Sequence, residues 1–462
     1  TDQYQLTMGQ VYFKKGEAEQ PAVFDYFFRK LPFEGGFAVF AGLETLLDIL
    51  EDFRFTEKDI EFLKSQNFDA DYLDYLKDFR FRGKIYSVLE GDLIFPGAPV
   101  VRVDANIIEA QIVETVLLNI LNFQTLIATK ATRMFIEAKG RTLIDFGLRR
   151  AQGLGGYHAS RAAMIGGFEG TSNTRAGMDF GFKVSGTMAH SFIQSYEDEL
   201  QAFRDFAEAH PENTILLVDT YNTLKSGIPN AITIGKEMES RGEKLKGIRL
   251  DSGDLAYLAR RSRKMLDDAG LDYVKISVSN QLDEHLIKSL LDQEAPIDIF
   301  GVGTSLVTGK PDAALDGVYK LAYFKDKPRI KLSETIAKIT LPHKKQVFRL
   351  LDHDGNFLGG DVISLFEEKD PEMMYHPYDP LKFRRIADVP KEKLLQPVFE
   401  NGKRIAEKRT IQEISSYSKN RLAKLPLEYK RFFNPHLYKV GISGELRDDR
   451  DRLIEEHKQE VL

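Results

Sequence analysis

The sequence has no cysteine and no tryptophan, and only nine histidines in 462 residues. Without thiols, disulfides, thiolate nucleophiles, cysteine-ligated zinc and iron–sulfur clusters are all excluded, and cysteine usage says nothing about redox compartment. No apolar run approaches the roughly 20 residues that cross a bilayer. The opening TDQYQLTMGQ has no basic segment leading into an apolar one. The chain is therefore read as soluble and cytoplasmic, with no membrane partner. An excess of one charge is also missing: 64 basic residues stand against 70 acidic ones, a net charge of -6. That balance argues against nucleic acid as a partner and leaves room for a local basic pocket.

At 462 residues the chain exceeds what one hydrophobic core organises, so two or three domains are expected. Residues 1–105 mix strand-like runs, AVFDYFFR (22–29) and GKIYSVL (83–89), with helix-like ones such as TEKDIEFLKSQ (56–66), where Thr56 is a candidate N-cap. This reads as an N-terminal α+β domain, joined by part of 326–395. From 106 a long apolar stripe of helical period runs towards Glu137. Short β-rich runs then alternate with helical stretches: TLIDF, TILLVDT, KGIRLD, YVKISVS, PIDIFG and GVYKLAYF. That rhythm predicts parallel βαβ units closing into an irregular α/β barrel over 106–325. Residues 326–462 read as a C-terminal extension: strand-like pieces RIKLS and KQVFRLLD, a turn-rich linker EKDPEMMYHPYDP (367–379), and a charged helical tail past Pro397.

Polar residues cluster where the barrel strands end: Asp145, Asp219, Arg249, Asp251, Ser277, Ser279, Gly303 and Thr304. In a barrel of parallel strands those ends share one mouth. IRLDSGDLAYLARR (248–261) places Arg249 and Asp251 on one strand face. A lone arginine in an apolar strand is costly without an anion, which points to a ligand. Ser252 and Asp254 are each open to a plain helix-cap role. VDTYNT (218–223) repeats the pattern with Asp219, so two carboxylates could hold a divalent ion and steady positive charge. IDIFGVGTSLVTG (297–309) offers backbone N–H groups from Gly301, Gly303 and Thr304, the composition of a phosphate cradle. DFGLRRAQG (145–153) adds Phe146, whose alternative is an ordinary core position, and two arginines suited to a multiply charged anion. FEGTSNTRAG (168–177) adds hydroxyls and an amide. In SGTMAHSF (185–192), His190 sits among small and hydroxyl-bearing residues, although an isolated histidine is more often structural. Neither a dinucleotide GxGxxG nor a Walker A loop is present. The residues alone thus indicate a barrel with an anion-binding mouth for a phosphorylated small molecule.

In order, TDQYQLTMGQ, IDFGLRRAQG, GFEGTSNTRAG, SGTMAHSF, LLVDTYNT, IRLDSGDL, VSNQLDE and IFGVGTSLVT resemble the nicotinate phosphoribosyltransferase family. The resemblance implies a type II phosphoribosyltransferase fold. It also implies condensation of nicotinate with phosphoribosyl pyrophosphate to nicotinate mononucleotide and pyrophosphate in NAD salvage, with ATP as co-substrate and Mg²⁺ required. His190 would be the phosphohistidine, with Gly186, Thr187 and Ser191 leaving room and donors for a phosphate. Tyr4 would cover the pyridine ring across a homodimer interface, with Phe146 on its other face. Arg149 would hold the diphosphate, and Arg249 the nicotinate carboxylate or the diphosphate. Asp219 and Asp251 would line the ribose and Mg²⁺ region, and Ser279, Asn280, Gly303 and Thr304 would bind ribose and its 5-phosphate. The related nicotinamide enzyme carries Asp in a GTD motif where this chain reads Gly170–Thr171–Ser172. Ser172 donates to a carboxylate that an aspartate would repel, which favours the acid substrate.

Two departures stand out: family zinc cysteines are absent, and PHKKQVFR has His343 where a PGxK pattern expects glycine. Competing readings are a quinolinate phosphoribosyltransferase without ATP coupling, a non-catalytic binding protein of the same fold, and an unrelated phosphate-binding barrel such as a flavin oxidoreductase.

Overall fold

Pro21–Phe28, the strand expected at AVFDYFFR, is buried along almost its whole length and lies inside its sheet with a partner on either side. It pairs antiparallel with Val101–Asn106 and with Gly317–Phe324. The computed structural model describes residues 1–335 and 338–461; Ile336, Ala337 and Leu462, within the expected C-terminal extension, lie outside the described residues. The chain forms two compact units, Thr1–Leu126 with Ala314–Leu462, and Ile127–Ala313.

In the first unit a seven-stranded sheet runs in the order Lys327–Pro328, Gly317–Phe324, Pro21–Phe28, Val101–Asn106, Lys84–Ser87, Gln396–Glu400 and Lys403–Arg404. GVYKLAYF is therefore not a barrel strand. Period-two apolar patterning cannot distinguish a parallel partner from an antiparallel one, and Gly317–Phe324 takes the antiparallel place beside Pro21–Phe28. A second, six-stranded sheet holds Lys345–Leu351, Phe357–Leu365 and Lys439–Ile442 at its centre. The expected linker contains one of its strands, Met373–Tyr375, whereas RIKLS forms no strand. Beyond Pro397 the expected helical tail holds helices Ile411–Lys424, Leu427–Lys430 and Gly444–Val461, interrupted by the strand Lys439–Ile442. Helix Glu57–Ser65 starts where its chemistry dictates: Thr56 caps the backbone of Asp59, and the Asp59 carboxylate returns the bond to Thr56 N at 2.8 Å.

The second unit is built on seven parallel strands. Their spatial order is Lys183–Val184, Gly170–Thr171, Thr142–Asp145, Ile299–Val302, Lys275–Ser279, Gly247–Leu250 and Ile215–Leu217. The chain starts mid-sheet at Thr142–Asp145, steps outward twice, crosses to the far edge at Ile215–Leu217, and steps back until Ile299–Val302 lies beside the first strand. Helices such as Ile228–Ser240, Leu255–Asp268 and Glu284–Asp292 make the crossovers. Side chains alternate across the sheet: Leu216, Ile248, Leu250, Ile276, Val278 and Phe300 share one face and are fully buried, whereas Arg249, Ser277 and Ser279 share the other. The sheet curls into a half-barrel, and among the described residues no strand pair joins Lys183–Val184 to Ile215–Leu217. The division at Leu126/Ile127 and Ala313/Ala314 differs from borders at 105/106 and 325/326. Helix Glu114–Ala138 runs through one boundary without a break, which no composition shift marks.

Candidate active site

Parallel strands put all their carboxyl ends on one side, and the side chains there form one connected polar cluster. Arg249, near the end of Gly247–Leu250, is 12% exposed at its side chain. Its Nε donates to Ser279 Oγ at 3.1 Å, and its Nη1 donates to Thr187 Oγ1 at 2.9 Å and Met188 O at 3.3 Å. Nη2 stands 3.6 Å from Asp251 Oδ1, which also accepts from Ser279 Oγ. One guanidinium therefore joins the His190 segment to the ends of two neighbouring strands. Its planar fork of five donors makes this possible.

His190 opens the five-residue helix His190–Gln194 and is 39% exposed at its side chain. Nδ1 lies 3.1 Å from Thr220 Oγ1, and Nε2 lies 3.7 Å from Asp251 Oδ2. When Nδ1–H donates to the threonine, the Nε2 lone pair faces the open mouth beside a carboxylate.

Asp219 follows strand Ile215–Leu217. Its Oδ2 accepts from Asp251 N at 2.9 Å and from Ser252 Oγ at 2.6 Å. Its Oδ1 is buried and has no hydrogen-bond partner, so a ligand hydroxyl or a cation would satisfy it. Ser252 is thus spent on Asp219, and Asp254 caps helix Leu255–Asp268 through Tyr257 N at 2.9 Å. Among the described residues no group of three or more potential protein ligands forms a metal cage. Two carboxylates with one orphaned oxygen fit Mg²⁺, which is commonly held by one or two carboxylates together with substrate phosphates.

Phe146 is half-buried, with the Arg249 guanidinium 5.7 Å from its ring centroid. A Cβ on Gly301 would run into that ring, so glycine is required there by close approach. Gly303 adjoins the Phe146 carbonyl, and Thr304, itself exposed, begins a single helical turn whose other residues are buried. Asn280 is exposed in the left-handed region at φ 90°, directly after buried Ser279. Ser172 follows strand Gly170–Thr171, its N–H donating to Asp145 O at 2.8 Å. Arg149 is exposed on the short turn Leu148–Arg150. Asp145 itself is fully buried, and burial pushes its carboxyl above the usual carboxylate range against three hydrogen bonds that hold it down. Hydrogen bonds and close charged contacts thus join Thr187, His190, Asp219, Arg249, Asp251 and Ser279 directly, with Phe146 beside Arg249. Tyr4 belongs to the other unit, where it is 45% exposed on helix Gln3–Lys14.

Residues 1–122 match the family model for the nicotinate phosphoribosyltransferase N-terminal domain, residues 142–350 that for the nicotinate phosphoribosyltransferase family, and residues 344–450 that for its C-terminal domain. The chain belongs to the nicotinate phosphoribosyltransferase family. A nicotinate phosphoribosyltransferase of Bacillus subtilis is 42% identical over 471 residues, covering 100% of this chain and 96% of the relative. One from Dictyostelium discoideum is 37% identical, covering 97% and 86%. The crystal structure of human nicotinic acid phosphoribosyltransferase superposes with a TM-score of 0.87 at 30% identity, covering 98% of this chain and 99% of that one. A nicotinate-nucleotide pyrophosphorylase from Pyrococcus furiosus matches at 0.72 and 26% identity, covering 92% and 94%.

Within this family member, the site includes two groups that the sequence motifs contained but did not single out. Thr220 lies one residue past Asp219 in VDTYNT and meets His190. The Met188 carbonyl takes a bond from Arg249, and backbone acceptors leave no trace in residue type. Thr220 was findable as a hydroxyl next to a strand-end carboxylate.

Proposed function

We propose that this chain condenses nicotinate with phosphoribosyl pyrophosphate to nicotinate mononucleotide and pyrophosphate, coupled to ATP hydrolysis through His190. The observation that carries this reading is the placement of His190, held at Nδ1 by Thr220 and facing Asp251 with Nε2, in the same cluster as Arg249 and Asp219. A histidine built only as a structural residue has no need of a free ring nitrogen beside a carboxylate at a strand-end mouth.

In the transfer step the pyridine nitrogen forms a bond to the anomeric carbon as the carbon–oxygen bond to the diphosphate breaks, with the electron pair leaving on pyrophosphate. Positive charge builds on the ribose in between. Asp219 and Asp251 would steady that charge, and Mg²⁺ held by the same pair would neutralise the departing diphosphate. Phe146 offers a flat face to the pyridine ring, and Ser172 a donor to its carboxylate. Arg249 and Arg149 bind anionic groups, while Ser279, Asn280, Gly303 and Thr304 take the ribose and its 5-phosphate. In the coupling step Nε2 attacks the γ-phosphorus of ATP: the nitrogen–phosphorus bond forms, the bond to the bridging oxygen breaks, and ADP leaves. Water later cleaves the phosphohistidine to phosphate.

A homodimer belongs to the same reading, in which Tyr4 of a second copy covers the open face of the ring. So does a cytoplasmic location; among the described residues no helix is long and apolar enough to cross a membrane. The test is nicotinate mononucleotide formation with Mg²⁺, run with and without ATP, while acid-labile phosphate on the protein is followed. ATP-stimulated product with label on His190 supports both steps. Product without label leaves the transferase and removes the coupling, and conversion of quinolinate in place of nicotinate would overturn the substrate.

A further inference from the structure

Asp145, fully buried at the end of strand Thr142–Asp145, takes three hydrogen bonds. Oδ1 accepts from Gly147 N at 2.8 Å; Oδ2 accepts from Ser160 Oγ at 2.7 Å and from Thr171 Oγ1 at 2.8 Å. All three donors are neutral. A second layer completes the network: Asn173 donates its backbone N–H to Thr171 Oγ1 at 3.0 Å and its side-chain amide to Ser160 Oγ at 3.3 Å.

The two carboxylate oxygens serve two different strand ends. On the Oδ1 side, the carboxylate and the Gly147 N–H bracket Phe146, whose own N–H donates to Val302 O at 2.7 Å and whose ring fills the space left by Gly301. On the Oδ2 side, Thr171 is pinned immediately before Ser172, and Ser172 N donates to the Asp145 carbonyl. A single side chain thus holds both the turn that carries Phe146 and the residue directly before Ser172. Burying a carboxylate among neutral donors is costly, and the cost is met only where each oxygen keeps its hydrogen bonds. What a carboxylate uniquely supplies is acceptor capacity on both oxygens with no donor of its own. A fully satisfied buried network of this kind rigidifies what it holds.

We propose that Asp145 is a positioning residue for the aromatic acid: it sets the spacing between the ring-stacking face of Phe146 and the donor Ser172, and so determines affinity and selectivity for a flat aromatic carboxylate. This rests on the roles given above to Phe146 and Ser172. For phosphoribosyl pyrophosphate only Arg149 shares this strand end, while Arg249, Ser279, Asn280, Gly303 and Thr304 stand on others, so its binding depends on Asp145 far less.

The test is steady-state kinetics with nicotinate and phosphoribosyl pyrophosphate varied separately, on the full chain, with thermal unfolding of each variant recorded alongside. Asp145→Asn keeps the shape but opposes one donor with another, so one arm is lost. The expected result is a rise in nicotinate KM of about ten-fold, the scale of one unsatisfied buried hydrogen bond. The phosphoribosyl pyrophosphate KM and saturated kcat stay within about two-fold, as removal of ground-state binding to one substrate requires. Asp145→Ala raises the nicotinate KM further, which makes the amide a partial rescue. Thr171→Val severs only the Ser172 arm and gives an intermediate rise; it also carries the test alone if the Asp145 variants do not fold. An unchanged nicotinate KM in Thr171→Val, or both KM values rising together in any folded variant, overturns the inference. Wild-type turnover of nicotinate separately decides the function on which it rests.

Discussion

His190 Nδ1 and Thr220 Oγ1 stand 3.1 Å apart across the seam of the half-barrel. His190 lies beyond the edge strand Lys183–Val184, and Thr220 beyond the opposite edge strand Ile215–Leu217, which do not pair. The sheet is open where a closed barrel would make backbone bonds, and a side-chain contact bridges the gap at its mouth. A histidine there has strand edges that do not pair with each other on either side instead of a closed wall. Arg249 then ties the same segment to the central strands through Thr187 and Met188.

That arrangement separates the two chemical steps. His190→Ala is expected to abolish ATP stimulation while leaving slow ATP-independent synthesis of nicotinate mononucleotide. Thr220→Val removes the group that fixes the tautomer and is expected to slow His190 labelling by about ten-fold, with ATP-independent turnover close to wild type. Rapid-quench measurement of acid-labile phosphate checks both. Equal ATP stimulation in His190→Ala and wild type would remove the phosphohistidine.

Ser172→Asp tests substrate choice. A carboxylate at the end of Gly170–Thr171 faces the nicotinate carboxylate, and a like charge at short range costs about 1–3 kcal/mol in a partly desolvated site. The kcat/KM for nicotinate is expected to fall by about ten- to a hundred-fold, with nicotinamide disfavoured far less. An equal loss for both substrates would mean that position 172 does not read the carboxylate.

The strand ends were the legible part of the site because polarity interrupts apolar runs there: Asp219, Arg249, Asp251 and Ser279 each follow or close a run of buried aliphatics. The seam was not legible, since local patterning says where a strand is and never which neighbour it takes. The same limit misplaced Gly317–Phe324, and it hid the contact of Thr220 with a residue 30 positions earlier. Asp145 was visible as a strand-end carboxylate, but its burial depends on Ser160 of helix Gly155–Ile165, Thr171 of strand Gly170–Thr171 and Asn173, which caps the next helix. His343, the departure in PHKKQVFR, has φ 67°. The left-handed backbone that glycine favours is thus retained by a histidine, a cost that residue type alone does not disclose.

Acid sensitivity has an identifiable source in the first unit. Burial raises the Asp92 carboxyl, but Arg349 at 2.7 Å and Arg421 at 2.8 Å outweigh it and hold the group below the usual carboxylate range. Its folded-state pKa is therefore lower than in the unfolded chain, where more protons are bound. The stability it contributes is present above the ordinary aspartate range and is lost as pH falls through the folded value. Denaturant unfolding of wild type and Asp92→Asn is expected to show a gap that is widest near neutrality and narrows on acidification. A constant gap would place the acid response elsewhere.

The loop around His343 makes a stronger demand on stability. Lys345 is buried, and its ammonium donates to the carbonyls of Leu341 at 3.0 Å, Pro342 at 2.9 Å and His343 while pairing with Asp25 at 2.8 Å. Three successive carbonyls converge on one cation because the backbone turns left-handed at His343. Asp25 is also buried; Lys345 meets its Oδ2, and its Oδ1 has no hydrogen-bond partner. Lys345→Met strands that carboxylate and is expected to cost about 3–5 kcal/mol, the scale for breaking a buried pair from one side. Asp25→Asn combined with Lys345→Met removes both charges and is expected to recover a large part of the loss. Urea unfolding of the two single variants and the double variant measures the coupling. Additive losses would mean that the carbonyl cage, and not the ion pair, holds this corner of the sheet.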